Sequence, residues 1–121
     1  MNFRSKFEEK FYLEYKESII GYESDRINYK LIHSYTPDFK IADNVFLETK
    51  GLFQSADRTK MREVIKQNPD FIVAIVFQTP HKLLYAGAKS TYSEWCEKIG
   101  IQWFDYKDKV GINRFISKYK V

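Results

Sequence analysis

The sequence predicts an α/β domain with a mixed central β-sheet flanked by helices. Three features carry that reading: apolar and polar residues alternate through residues 27–50, residues 71–77 form an unbroken apolar run rich in β-branched side chains, and apolar residues recur at helical spacing before and between these stretches. A chain of 121 residues, 44% hydrophobic and 17% aromatic, is long enough to bury one core, so a single domain spanning 1–121 is expected.

Each element has its own signal. Phe3, Phe7, Phe11 and Tyr15 recur at helical spacing with Arg4, Lys6, Glu8, Glu9 and Lys10 between them, which predicts an amphipathic helix with an aromatic stripe. Next, Ile27, Tyr29, Leu31, His33 and Tyr35 alternate with Asn28, Lys30, Ile32 and Ser34, which predicts one extended strand. Residues 36–51 read as a hairpin. A loop of Ala42, Asp43 and Asn44 would pair Ile41 with Val45, Phe39 with Leu47 and Asp38 with Glu48. Pro37, Phe39, Ile41, Val45, Leu47 and Thr49 would then face the core, and Thr36, Asp38, Lys40, Phe46, Glu48 and Lys50 the other side.

After Gly51 ends this strand, Ser55 is placed to cap a helix with Met61, Val64 and Ile65 on its buried side, stopped before Pro69. Residues 71–77 read as a strand covered on both faces, and the helix before it predicts a βαβ crossover. Thr91 and Glu94 stand in capping-box register, Gly100 closes that helix, and residues 101–104 read as the last strand. Residues 106–121 are basic and aromatic without a clear period and read as a basic C-terminal tail.

A formal net charge of +4 suits an anionic partner such as nucleic acid. The aromatic residues suit stacking on such a partner and equally suit a small core. A lone Cys96 rules out an internal disulfide and lacks the neighbours of a zinc site, which points to a reducing compartment, the cytoplasm. No segment approaches the ~20 apolar residues of a membrane span, and residues 1–10 lack the apolar centre of a signal peptide, so no membrane partner is expected.

Asp38, Glu48 and Lys50 share the polar side of the hairpin. Directly opposed carboxylates destabilise a sheet unless something offsets their charge. Mg²⁺ does so, since it binds one or two carboxylates and completes its shell with water and phosphate oxygens. It would also acidify a water and stabilise charge developing on phosphorus, with Lys50 orienting that water or neutralising the phosphate. A solvated face balanced by Lys40 and Lys50 explains the same spacing. Arg58, Arg62 and Lys66 recur every four residues on one side of the following helix, as a phosphate-contacting stripe or as another solvated face. His33 and His81 have no role in this chemistry.

Pro37-Asp38 followed by Glu48-Thr49-Lys50 resembles the PD-(D/E)XK nuclease signature, and the wider sequence resembles the bacteriophage endonuclease I enzymes that resolve Holliday junctions. The likeness is carried by Phe3-Arg4-Ser5 with Glu8 and Lys10, by YTPDF at 35–39, ETKGL at 48–52, Asp57-Arg58, IVF at 75–77, and residues 92–101 with EWCEKIGI. It extends to about Phe104.

The resemblance implies a restriction-endonuclease-like fold and a Mg²⁺-dependent endodeoxyribonuclease, with Mn²⁺ able to substitute, acting on branched DNA in the cytoplasm of a phage-infected bacterium. It implies catalytic Glu8, Asp38, Glu48 and Lys50, with Glu9 as the neighbouring alternative to Glu8. Metal would be held by Asp38, Glu48, Glu8 and the backbone carbonyl of Thr49. It also implies a domain-swapped homodimer in which residues 1–34, the helix and bridging strand, are exchanged between subunits around a catalytic core of 35–105. Only Met1 and Asn2 precede Phe3 where the family usually carries a basic extension, the segment from Phe11 to Ser34 matches weakly, and nothing after Asp105 matches. Two other readings remain: a free-standing, sequence-specific homing-type endonuclease with the same core, and a non-catalytic DNA-binding protein with a nuclease-like fold.

Overall fold

The computed structural model describes residues 2–29 and 33–120. In chain order the elements are α1 (Lys6–Tyr15), β1 (Gly21–Tyr22), β2 (Ile27–Tyr29), β3 (His33–Tyr35), β4 (Phe39–Ala42), β5 (Val45–Lys50), α2 (Ser55–Gln67), β6 (Ile72–Phe77), α3 (Tyr92–Ile99), β7 (Trp103–Asp105) and α4 (Lys109–Tyr119). One five-stranded sheet runs β1-β4-β5-β6-β7, and β2 and β3 form a separate two-stranded hairpin. β4 pairs antiparallel with β1 and β5, whereas β5, β6 and β7 run parallel. The sheet is mixed, as the sequence predicts, and α2 makes the expected crossover.

Strand β6 is the axis of the core. Its Val73, Ile75 and Phe77 point to one face and Ala74 and Val76 to the other. On the first face they meet Phe46, Phe53, Met61, Val64, Tyr92 and Cys96, brought by β5, α2 and α3. On the second, Phe11 and Tyr15 of α1 and Ile112, Phe115 and Ile116 of α4 cover Phe39, Ile41, Val45 and Leu47. Most of the aromatic residues belong to these two cores: Phe53 alone makes edge-on contacts with Phe77, Tyr92 and Trp95.

Five expectations are corrected. Residues 106–121 are no patternless tail: Asp108 caps α4 by accepting the backbone N–H of Gly111 at 3.0 Å, and Ile112, Phe115 and Ile116 are buried. The single strand over 27–35 is instead two strands folded back, pairing Ile27 with Tyr35 and Tyr29 with His33. Lys30, Leu31 and Ile32, the middle of the expected strand, lie outside the described residues. Folding back lets Ile27 and Tyr35 enter the same core. Ser55 is the first residue of α2 and Gln54 its cap, with the Asp57 carboxylate accepting the Gln54 backbone N–H at 2.9 Å.

The hairpin turn also differs. Ala42, not Ile41, pairs with Val45, and the shift is absorbed between Lys40 and Ala42, so Phe39 still faces Leu47. Asn44 takes the left-handed conformation with φ 60°, which asparagine tolerates and which tightens the turn to Asp43 and Asn44. Nor is the second face of the hairpin simply polar, because Phe46 is buried against α2.

Because Phe115 lies 5.6 Å from Phe104, centroid to centroid, and fills the second face, Phe115→Ala should lower the unfolding free energy by about 3–5 kcal/mol. Denaturant titration checks this, and a change under about 0.5 kcal/mol, typical of a surface position, would contradict the packing of α4.

Candidate active site

The start of β4 and the end of β5 lie side by side. Continuing the Phe39–Leu47 pairing by one residue sets Asp38 beside Glu48. Continuing the β1–β4 pairing sets Asp38 beside Glu23 on its other side, and the Glu23 backbone N–H donates to the Asp38 carbonyl at 3.0 Å. The sheet therefore carries a row of acids, Glu23, Asp38 and Glu48, and α1 adds Glu8 from above its edge. Glu8, Asp38 and Glu48 are all buried, while Glu9 is exposed. Together with Thr49, Lys50, Arg4 and Lys60 they line a polar cleft of about 280 Å³.

Each buried acid has one oxygen fastened. Glu48 Oε1 accepts the Tyr35 hydroxyl at 2.6 Å and the Asp38 backbone N–H at 3.0 Å. Asp38 Oδ2 accepts both the backbone N–H and the hydroxyl of Thr49, each at 2.9 Å. Glu8 Oε1 accepts the Tyr22 hydroxyl at 2.5 Å and the Arg4 backbone N–H at 2.9 Å. Such contacts orient a carboxylate and leave its second oxygen for a cation or substrate. A carboxylate oxygen from each of Glu8, Glu23 and Asp38 can be gathered within 4.8 Å of the others, a spacing that suits one cation.

Charge in the cleft is poorly balanced. Burial, then the neighbouring Glu48, holds the Asp38 carboxyl well above the usual range, with Glu8 adding to the effect and Thr49 opposing it. Burial also raises Glu48, against the pull of Lys50 and the Tyr35 hydroxyl. Burial works to lower the Lys50 ammonium, but Glu48, Asp57 and Asp38 outweigh it and the net shift is upward. Lys50 Nζ stands 3.7 Å from Glu48 Oε2 and 3.3 Å from Asp57 Oδ1. With Arg4 paired to Glu23 at 2.7 Å and Lys60 acting on Glu48, three cations face Glu8, Glu23, Asp38, Glu48 and Asp57, a deficit of positive charge that a divalent cation fits.

A profile of the family described as "Phage endonuclease I" matches residues 1–116. The chain belongs to the phage endonuclease I family. It is 42% identical over 108 residues to endodeoxyribonuclease 1 of Enterobacteria phage T3, covering 85% of this chain and 71% of that protein. It is 40% identical over 108 residues to endonuclease I of Escherichia phage T7, covering 85% and 72%. The match runs past Phe104 and through most of α4, further than the sequence resemblance suggested.

The family's expected residues are thus brought together: Glu8, Asp38, Glu48, Thr49 and Lys50 line one cleft. The α2 stripe is not part of it. Arg58 donates from Nη1 to the Phe53 carbonyl at 2.7 Å, and Arg62 and Lys66 are exposed. Sequence reasoning missed Glu23 and Lys60. Glu23 is placed by a two-residue strand too short to show a period. Lys60 sits between Arg58 and Arg62, off the four-residue repeat, and so was passed over.

Folding raises the Asp38 value, so the stability it contributes is present in acid and is lost as pH climbs from the ordinary carboxylate range through the raised one. In EDTA, Asp38→Asn should melt above the wild type at pH 8, the gap closing as pH falls to about 4. Mg²⁺ should raise the wild-type melting temperature more than that of the variant. Thermal melts across pH, with and without Mg²⁺, check both statements.

Proposed function

We propose that the protein is a Mg²⁺-dependent endodeoxyribonuclease that hydrolyses phosphodiester bonds in branched DNA such as Holliday junctions. The observation that carries this reading is the convergence of Glu8, Asp38, Glu48 and Lys50 on one polar cleft in a chain of the phage endonuclease I family. The names of the T3 and T7 relatives, endodeoxyribonuclease and endonuclease, support the activity. The hairpin and its crossover are read as a PD-(D/E)XK core, and the cytoplasm of an infected bacterium as the place of action.

In this reading Asp38, Glu48, Glu8 and the Thr49 carbonyl would hold the cation, Mg²⁺ or Mn²⁺, and the position of Glu23 supports adding it to that set. The bound cation supplies an acidified water and a countercharge for phosphorus. Tyr22, Tyr35 and Thr49 keep the carboxylates turned toward the cleft. Lys50 orients the attacking water or neutralises the scissile phosphate, and the partly exposed Lys60 adds positive charge at the cleft wall. Arg62 and Lys66, with the remaining donors of Arg58, contact the DNA backbone away from the cut.

A swapped homodimer is part of the same proposal. The N-terminal segment contributes Glu8, Tyr22 and Glu23, and the segment after residue 32 contributes Asp38, Glu48 and Lys50. If residues 1–34 were exchanged, each cleft would be assembled from two chains and the pair of clefts related by a two-fold axis, as paired cuts in a branched, pseudo-symmetric substrate require.

Glu48→Gln or Asp38→Asn should reduce cleavage of a four-way junction by at least roughly 10³-fold while leaving gel-shift affinity near wild type. Junctions of unrelated sequence should be cut alike, whereas a homing-type enzyme would spare them and cut rare members of a linear duplex library. Exchange has its own readout. Mixed dimers of Glu8→Gln with Glu48→Gln subunits would hold one intact cleft and nick junctions if the segment is swapped, and would be inert if it is not.

A further inference from the structure

Asp57, the third residue of α2, uses its two oxygens differently. Oδ2 accepts the Gln54 backbone N–H at 2.9 Å and so ties down the start of the helix. Oδ1 is 3.3 Å from Lys50 Nζ, nearer than Glu48 Oε2 at 3.7 Å. Both side chains of this pair are mostly covered, Lys50 at 21% and Asp57 at 24% exposure, so water and salt screen it less than an open surface pair. Gly51 to Gln54, which join the two residues, are themselves pinned by Arg58 through the Phe53 carbonyl.

We infer that Asp57 is a positioning residue for Lys50: it anchors the ammonium at the cleft from the first turn of α2. A lysine has a four-carbon stem and a mobile point charge, so one acid does not fix where its head sits. With Glu48 as the sole close anchor, the ammonium would settle onto the Glu48 carboxylate and compete with a cation for the same oxygen. Asp57, the nearer of the two acids, competes for the ammonium and holds it clear. A capping acid needs only the contact to Gln54, so the second contact marks the further role. The inference rests on the nuclease reading for its effect on rate, but the position of Lys50 is measurable without DNA or metal.

Asp57→Asn keeps an oxygen for the Gln54 N–H and removes the charge, and Asp57→Glu keeps the charge on a longer stem. The ¹⁵N-labelled ammonium of Lys50, followed by NMR in metal-free protein, should be ordered in the wild type, mobile in Asp57→Asn and largely restored in Asp57→Glu. On a four-way junction with Mg²⁺, Asp57→Asn should lower kcat by roughly 10- to 100-fold with KM and melting temperature little changed, and Asp57→Glu should recover part of the rate. An ammonium as ordered in Asp57→Asn as in the wild type overturns the inference, whatever the rate does. So does a wild-type kcat in Asp57→Asn. Failure of the wild type to cut any DNA would sink the nuclease reading instead, and the NMR comparison would still decide the role of Asp57.

Discussion

The structure is organised around carboxylates removed from water within reach of one another. Glu23, Asp38 and Glu48 fall in a row across β1, β4 and β5, and Glu8 joins them from α1. Adjacent like charges in a sheet repel, and burying a carboxylate costs several kcal/mol even after relaxation. The fold answers with hydrogen bonds that each acid receives from elsewhere: Tyr22 for Glu8, Thr49 for Asp38, Tyr35 and the Asp38 backbone for Glu48. These satisfy individual oxygens but cancel no charge. The cations at hand are fewer than the acids: Lys50 is divided among Glu48, Asp57 and Asp38, Lys60 acts on Glu48, and Arg4 pairs with Glu23 at 2.7 Å. Such a site is a standing destabilisation that the rest of the chain must offset, and the two-sided core around β6 is placed to do so.

That division of labour explains which parts of the protein were legible in its sequence. Strand β6 declares itself because both faces are buried and every residue must be apolar. The hairpin declares itself because its alternation survives the acids. α3 has a capping box at Thr91 and Glu94 and a left-handed Gly100 at its end, signals that act within one turn of the chain. Where a position is set by contacts distant in sequence, the same reasoning fails. Tyr29 and His33 pair across a reversal that alternation cannot announce, since an extended strand and a folded-back one share a period of two. α4 had a legible signal too, as Ile112, Phe115, Ile116 and Tyr119 keep helical spacing after Asp108.

The site was legible in the same uneven way. Asp38, Glu48 and Lys50 lie twelve residues apart at most and are related by a hairpin, so local pattern suffices to join them. Glu8 is thirty residues from Asp38, and only the family resemblance linked it to the others; its burial beside an aromatic stripe is the physical trace of that link. Glu23 had neither. Its place depends on two residues of β1 adding to the edge of β4, an arrangement with no sequence signature, and on a backbone φ of 48° that turns the chain just there.

The hydrogen bonds also show how the cleft is divided between layers. Glu8 and Tyr22 approach from the α1 side of the sheet, Glu48 and Tyr35 from the side of α2 and the β2–β3 hairpin, and Asp38 stands between them at the start of β4. A tyrosine from the N-terminal part of the chain fixes an acid from that part, whereas Tyr35 fixes an acid of the hairpin that follows it. Each half of the site thus brings its own positioning group, and a break between residues 29 and 33 would leave both pairs whole. Between the halves, the carboxylates of Glu8 and Glu23 repel that of Asp38 without a cation, although the Glu23 backbone N–H donates to the Asp38 carbonyl. Against that repulsion the halves are joined by the β1–β4 pairing, by Lys40 with Asp25 at 3.1 Å, by Glu14 with the Tyr106 hydroxyl at 2.6 Å and Lys109 at 2.9 Å, and by Phe11 and Tyr15 on Phe39 and Ile27 opposite Tyr35.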